Sequence, residues 1–214
     1  DKGDAPLKET LAAAMLAASG WWNPETGEVS QQPLYDPCCG SGTIPIEAAQ
    51  IASGMPAGGQ RRFGFEKLAP FQPHVWQGLK KDAEERASRE PVAVFGSDVS
   101  HRMVDFAQRN AERAGVESLV QLRGGDALQR MPPAEAGVIV LNPPYGERIE
   151  VGGVARAGAR TRGPAPGGGG GRETAQTDDG GEFFEQLSSH WKKNYAGWTA
   201  WVLTPDMKLP SKMR

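Results

Sequence analysis

Three aspartates and one Asn-Pro-Pro-Tyr run are the residues in this chain of 214 whose types and spacing suit chemistry. Asp36 ends the apolar stretch before "PCCGSG", Asp98 ends "AVFGSD", and Asp126 follows "QLRGG". A carboxylate at a strand end can accept hydrogen bonds from both hydroxyls of a ribose, the role expected of Asp98. Asp126 is placed to accept from an exocyclic amine such as adenine N6. Gly40 and Gly42 permit backbone angles that a Cβ would forbid, so the main chain can approach a ligand closely. Thr43 then opens a helix whose N–H groups favour an anionic group nearby. The fourth feature follows "AGVIVL". Proline has no N–H, so Pro143 and Pro144 end the strand, and Asn142 is held extended because it precedes a proline. This stiff strand end presents Asn142, a bare carbonyl and the ring of Tyr145. It reads as the wall of a pocket.

The elements that position these residues alternate. An alanine- and leucine-rich helix is expected over 7–19, stopped by Gly20. A short strand into Asp36, a glycine turn and a helix follow. Residues 53–73, rich in Gly, Pro, Phe and Arg, look irregular. A long helix is expected from His74 to Glu90, then a strand, the helix "HRMVDFAQRNAERAG", a strand into Asp126 and the strand into Asn142. The helix "GEFFEQLSSHWKKNYAG" and the strand "WTAWVLTPD" close the pattern. Alternating strands and helices imply an α/β fold, a doubly wound and mostly parallel sheet with helices on both faces. The carboxyl ends of its strands open on one side, where ligands bind. The interval from Asp36 to Asp98 exceeds the roughly 20 residues of a simple dinucleotide fingerprint, and an insertion around 54–90 accounts for it.

One domain spanning 1–214 is expected from the length. Residues 151–181 hold almost no large apolar side chain and read as a flexible glycine-rich insertion within it, since such a segment cannot offset its ordering entropy. A formal net charge of −2 provides no global field for gripping nucleic acid. The two cysteines, adjacent at 38 and 39, build no disulfide framework, and the three histidines form no ligand-spaced cluster with them, so no metal is expected. Reduced cysteines and the lack of a targeting or membrane-spanning segment suggest a cytoplasmic protein. The chain enters a helix almost at once without a starting methionine, as an excised domain of a longer protein would. Trp191, Trp198 and Trp201 are expected to pack around the last strand. Phe63, Phe65, Phe71 and Trp76 read as a satellite core or a stacking platform.

The motifs "DPCCGSGTIPIEAA", "GSD", "GGDAL" and "LNPPYGER" resemble those of class I S-adenosylmethionine-dependent methyltransferases. "KGDAPLKETLAAAML", "FGFEKL…VWQGLKKDAEERA" and "GWTAWVLTPD" narrow the resemblance to THUMP-associated RNA methyltransferases, nearest to the bacterial 23S rRNA guanine-N2 subgroup. The resemblance implies a Rossmann-like fold and S-adenosylmethionine as cofactor. Asp36, Pro37, Cys38, Gly40, Gly42 and Thr43 would line its methionine end, with Lys8, Glu9 and Thr10 close by. Asp98 and Val99 would lie at the ribose, Asp126 and Ala127 at the adenine. Asn142, Pro143, Pro144 and Tyr145 would hold the target base, Asn142 also bordering the cofactor. The implied partner is RNA, ribosomal rather than transfer RNA, captured with help from a THUMP-like region absent here. Two departures accompany the resemblance. The chain stops soon after "LPSK" without a C-terminal β-hairpin, and the THUMP region is missing. Adenine-N6 methylation of nucleic acid, transfer-RNA guanine-N2 methylation and a non-catalytic cofactor- or RNA-binding module remain alternatives.

Overall fold

The computed structural model describes residues 7–59, 61–87, 93–144 and 179–214. Five strands form one sheet: β1 (Leu34–Asp36), β2 (Val94–Asp98), β3 (Val120–Gly124), β4 (Gly137–Leu141) and β5 (Trp198–Val202). All four pairings are parallel and the order is β3-β2-β1-β4-β5. The chain winds outward from β1 to β3, then jumps back across the sheet to β4. The order therefore reverses between β1 and β4, the switch point at which a doubly wound sheet opens a crevice.

β4 shows why this stretch is a strand in the middle of the sheet. All five residues of "GVIVL" are buried, as expected when helices cover both faces of a parallel sheet. Side chains alternate, so Val138 and Val140 join one core while Ile139 and Leu141 join another. The first core is closed by α1 (Glu9–Ala18), α2 (Thr43–Ala52) and α4 (His101–Ala114), through Ala12, Leu16, Ile44, Ala48 and Ala111. The second is closed by α5 (Asp179–Asn194), with Phe183, Phe184 and Leu187 packed on α6 (Leu209–Lys212) and with Tyr195 stacked on Tyr35. α4 is started by Ser100, whose hydroxyl accepts from the Met103 N–H at 3.4 Å, and stopped by Gly115 in the left-handed region.

Residues 125–136 connect β3 to β4 through turns. The structure departs from the sequence reading in two places. The expected helix from 74 to 90 is α3, Pro73–Glu85, and it buries none of its residues. Trp191 and Trp198 are half-buried around β5, but Trp201 is 43% exposed. The period-2 rule explains the split, because Trp198 and Val202 share the face that α5 covers while Trp201 points the other way. Among the described residues no antiparallel strand lies beside β5. None of the described helices is long and apolar enough to cross a membrane. Of the expected insertion, 151–178 lies outside the described residues, whereas 179–181 belong to α5.

Gly137 shows how tightly β4 is seated. A Cβ there would stand 2.5 Å from the Pro33 carbonyl oxygen and 2.7 Å from the Trp198 ring. Gly137→Ala should cost about 1–3 kcal/mol, the usual cost of overpacking, read as a lower midpoint of thermal unfolding.

Candidate functional site

Because every strand runs the same way, Asp36, Asp98, Asp126 and Asn142 all emerge on one edge of the sheet. Asp36 is the last residue of β1 and Asp98 the last of β2; Asp126 stands two residues past β3, and Asn142 directly follows β4. Read across the sheet the sequence of tips is Asp126, Asp98, Asp36, Asn142. With strands about 4.8 Å apart, this edge spans roughly 15 Å. Tyr145 lies outside the described residues.

The three acidic tips are built alike. The Asp36 carboxylate accepts from the Cys38 N–H at 3.0 Å, Asp98 from the Ser100 N–H at 2.9 Å, and Asp126 from the Leu128 N–H at 2.9 Å. Each aspartate thus turns the chain two residues beyond itself while keeping acceptor capacity to spare. Asp98 does more. Its second oxygen accepts from the Gly40 N–H at 3.0 Å, tying the glycine turn after β1 to the tip of β2.

That turn depends on its glycines. Gly40 and Gly42 have φ of +53° and +86°, the left-handed region. Gly42 caps α2, and a Cβ on it would lie 3.0 Å from the Ala107 Cβ of α4. Pro37 and Cys39 are buried, and Cys38 is half-buried, packed both against the cluster of Phe183, Phe184 and Leu187 and against that of Tyr35, Ile139 and Leu141. Burial raises both thiols well above their ordinary range, and the charges of Asp36 and Asp98 raise them further. These cysteines pack; they are not thiolates. Thr43 is the first residue of α2 and is half-buried.

Thr10 sits exposed in the first turn of α1. Glu47, one turn into α2, is raised by burial and then by the neighbouring Glu9 carboxylate. The starts of α1 and α2 are therefore adjacent. On the other flank, Val99 is 48% exposed beside Asp98, and Ala127 is buried beside Asp126. Asn142 and Pro144 are half-buried and Pro143 is buried. Among the described residues no hydrogen bond occupies the Asn142 amide.

Two supports were not legible in the sequence. Asn110 of α4 donates from Nδ2 to the Ser41 carbonyl at 2.8 Å, holding the glycine turn from behind. Its only signal is its place beside the apolar stripe Val104, Ala107 and Ala111. Beneath the turn, the Tyr35 and Ser97 hydroxyls meet at 2.6 Å, and the Ser97 Oγ donates to the Pro37 carbonyl at 3.4 Å. Burial pushes the Tyr195 phenol, stacked on Tyr35, up to about 12. Both rings are neutral hydrogen-bonding groups at physiological pH.

The fold defines a Rossmann-like domain of the methyltransferase class, with three aspartates and Asn142 together at the carboxyl edge of its sheet. More narrowly, the chain belongs to the family described as RMKL-like methyltransferase domains, whose pattern matches residues 1–157. It is 40% identical over 99% of its length to a Shewanella baltica (strain OS195) protein, and 39% identical to one from Shewanella loihica. Both are named ribosomal RNA large subunit methyltransferase K/L, and the chain spans about a quarter (26%) of their length. Among solved structures, SMU.472, a methyltransferase complexed with SAH, superposes with a TM-score of 0.76 at 27% identity. The match covers 99% of this chain and 48% of SMU.472. A Listeria monocytogenes protein described as a predicted N6-adenine-specific DNA methylase gives 0.76 at 30% identity, over 99% of this chain and 47% of its own.

Asp36 is 2% exposed, and burial raises its carboxyl well above 3.8, opposed by the Cys38 N–H bond and reinforced by Asp98. A carboxyl raised on folding favours the folded state fully below its unfolded value and loses that contribution as the pH climbs. Asp36→Asn keeps an oxygen for the Cys38 N–H and removes the buried charge. Its unfolding midpoint should exceed the parent's by about 2–4 °C near pH 8, the shift of about 1 kcal/mol for a chain of this size, and the gain should vanish below about pH 4.

Proposed function

We propose that this chain is a catalytic domain that transfers a methyl group from S-adenosylmethionine to the exocyclic N2 of a guanine in large-subunit ribosomal RNA. The observation that carries the reading is the row of tips on one edge, three carboxylates followed by an amide at Asn142 for which no hydrogen bond is seen among the described residues. The names of the 40%-identical relatives support the ribosomal substrate, and SMU.472 with its SAH supports the cofactor. The compartment this reading implies is the cytoplasm, and a THUMP-like region of a longer protein is the natural RNA-capturing partner.

The residues present fit the cofactor. The left-handed turn at Gly40 presents backbone without a side chain, and a Cβ there would find no atom nearer than 3.9 Å, so the space beside it is open. Asp36, Gly40, Gly42 and Thr43 would hold the methionine portion, with Pro37 and Cys38 as packing and Thr10 at the rim. Asp98 retains lone pairs for ribose hydroxyls, with Val99 offering an apolar side. Asp126 and Ala127 would border the adenine. When bound, S-adenosylmethionine supplies a methyl group carried on a positively charged sulfur. Three carboxylates on the same edge favour a cation there by simple Coulomb attraction.

The chemical task of the chain is to make a poor nucleophile attack. The lone pair of a guanine N2 amine is drawn into the ring. Two acceptors gripping its N–H groups draw the nitrogen toward a tetrahedral shape and free that pair. The Asn142 side-chain oxygen and the Pro143 carbonyl are those acceptors, and stiff prolines keep their ordering cost out of the reaction step. The amine gives up its proton after transfer, so the motif needs no histidine. Tyr145 would stack on the base once it is swung out of its helix.

Adenine-N6 methylation is the second reading, favoured by the name of the Listeria monocytogenes neighbour. Tritiated methyl transfer to unmodified large-subunit ribosomal RNA, followed by nucleoside separation, decides between them. N2-methylguanosine is expected, and N6-methyladenosine alone would replace the first reading with the second. In calorimetry with S-adenosylhomocysteine, Asp98→Ala should weaken binding at least tenfold, about the worth of one hydrogen bond to a charged group. Asn142→Ala should slow transfer by roughly a hundredfold or more, as loss of one preorganised polar contact does, while leaving that affinity unchanged. A matching loss of affinity would move Asn142 from the base to the cofactor.

A further inference from the structure

Residues 61–81 form a satellite that the strand edge does not use. They hold five Lys or Arg and one Glu, and the acids of α3, Asp82, Glu84 and Glu85, are gathered in its last turn beyond them. The one acid within 61–81, Glu66, is engaged by the Phe63 N–H at 2.7 Å. Phe63 and Phe65 stack with centroids 5.4 Å apart, and Trp76 meets both edge-on at 5.6 and 5.0 Å. Phe71 leans on Phe65 at 6.1 Å. The Arg61 guanidinium stands over the Phe63 ring at 5.3 Å, and the Lys80 ammonium stands 5.7 Å from the Trp76 ring. Arg62 and Lys67 are exposed, and Lys81 reaches Glu85 at 3.7 Å on an open surface.

These rings do not form a closed core. Phe65 is 42% exposed, Leu68 65%, Val75 46% and Leu79 55%, and α3 buries nothing. The patch needs an occupant, and the charges choose it. The central parts of protein–protein contacts are depleted of Lys, whereas here a cation stands over the ring at each end of the cluster. Ring faces bordered by cations match single-stranded nucleic acid, whose bases stack while its phosphates meet the basic rim.

We infer that residues 61–81 are a second RNA contact, a platform on which unpaired bases of the substrate stack on Phe65 while Arg61 and Lys80 meet flanking phosphates. The inference rests on the RNA reading above and extends it to a surface outside the catalytic edge. It also gives a chain of net charge −2 a local basic surface for nucleic acid.

The test is fluorescence anisotropy of the 214-residue chain with a labelled single-stranded oligouridylate about ten nucleotides long, within the range one such groove accommodates. Calorimetry with S-adenosylhomocysteine on every variant reports the fold and the other site independently. Arg61→Glu combined with Lys80→Glu should weaken RNA binding at least about tenfold and reduce the slope of log affinity on log salt by about 1.4, the loss of two phosphate contacts. Phe65→Ala and Phe65→Leu should each weaken it about tenfold while Phe65→Trp keeps it, because stacking needs a ring. Cofactor affinity should be unchanged throughout. Parent-like RNA affinity in the charge-reversed pair or in Phe65→Leu would overturn the platform. So would intact RNA affinity in Leu79→Lys accompanied by lost self-association in sedimentation, which would make the face a protein contact. A parent chain that binds RNA but not S-adenosylhomocysteine would instead sink the methyltransferase reading and leave the platform standing.

Discussion

The hydrogen bond from the Gly40 N–H to the Asp98 carboxylate is the constraint on which the edge of this sheet depends. It joins residues 58 apart in sequence, so the glycine turn after β1 takes its shape only when β2 is already alongside. The same carboxylate turns the chain into α4 through the Ser100 N–H, and α4 returns Asn110 to the Ser41 carbonyl. Gly42 completes the circuit by letting α2 begin in contact with Ala107. Two strand tips, one turn and two helix starts are thus held by a handful of contacts that each require a specific small or acidic residue. A loop so determined is preorganised, and little ordering is left for the moment of binding.

The edge carries a cost in charge. Asp36 is enclosed, and its carboxyl is raised by that enclosure. A buried acid is retained against stability when its charge serves something else, and in the proposed reading the strand-end carboxylates would face a cationic ligand. The neighbouring cysteines show the opposite outcome of the same environment. Their thiols are pushed so far from ionisation that they act as small apolar residues. The Tyr35–Ser97 pair and the ring of Tyr195 then stiffen the floor without adding charge.

The chain also divides into parts with different tasks. The β1, β2 and β4 strands are enclosed on both faces, while β5 keeps Trp201 open and α3 buries none of its residues. The strand tips are positioned where burial is complete, because a close-packed strand holds its end to a fraction of an ångström. Surfaces that meet a large and variable polymer need no such precision, and the aromatic and basic residues of 61–81 sit on an extension that the sheet does not constrain. The curated relatives it matches are about four times as long as this chain.

Much of this was legible before any coordinates. The alternation of apolar runs with helical stretches dictated a parallel sheet, since only crossovers of that length can join parallel strands. The aspartates' places at strand ends then put them on a common edge, because parallel strands share one carboxyl edge whatever their order. Local rules sufficed for the turns too: glycine for positive φ at 40 and 42, proline to end β4 at 143. The rest depended on distance in the chain. Nothing near Gly40 announces its bond to Asp98, and nothing near Asn110 announces Ser41. Trp201 and Trp198 look alike in sequence, and only the position of α5 decides which is covered. Whether Phe63, Phe65, Phe71 and Trp76 close into a core or stay open was likewise undetermined, because burial belongs to the partner surface and not to the residue. Local sequence chose the elements and the chemistry at their ends; long-range packing alone chose which of those ends meet and which faces remain bare.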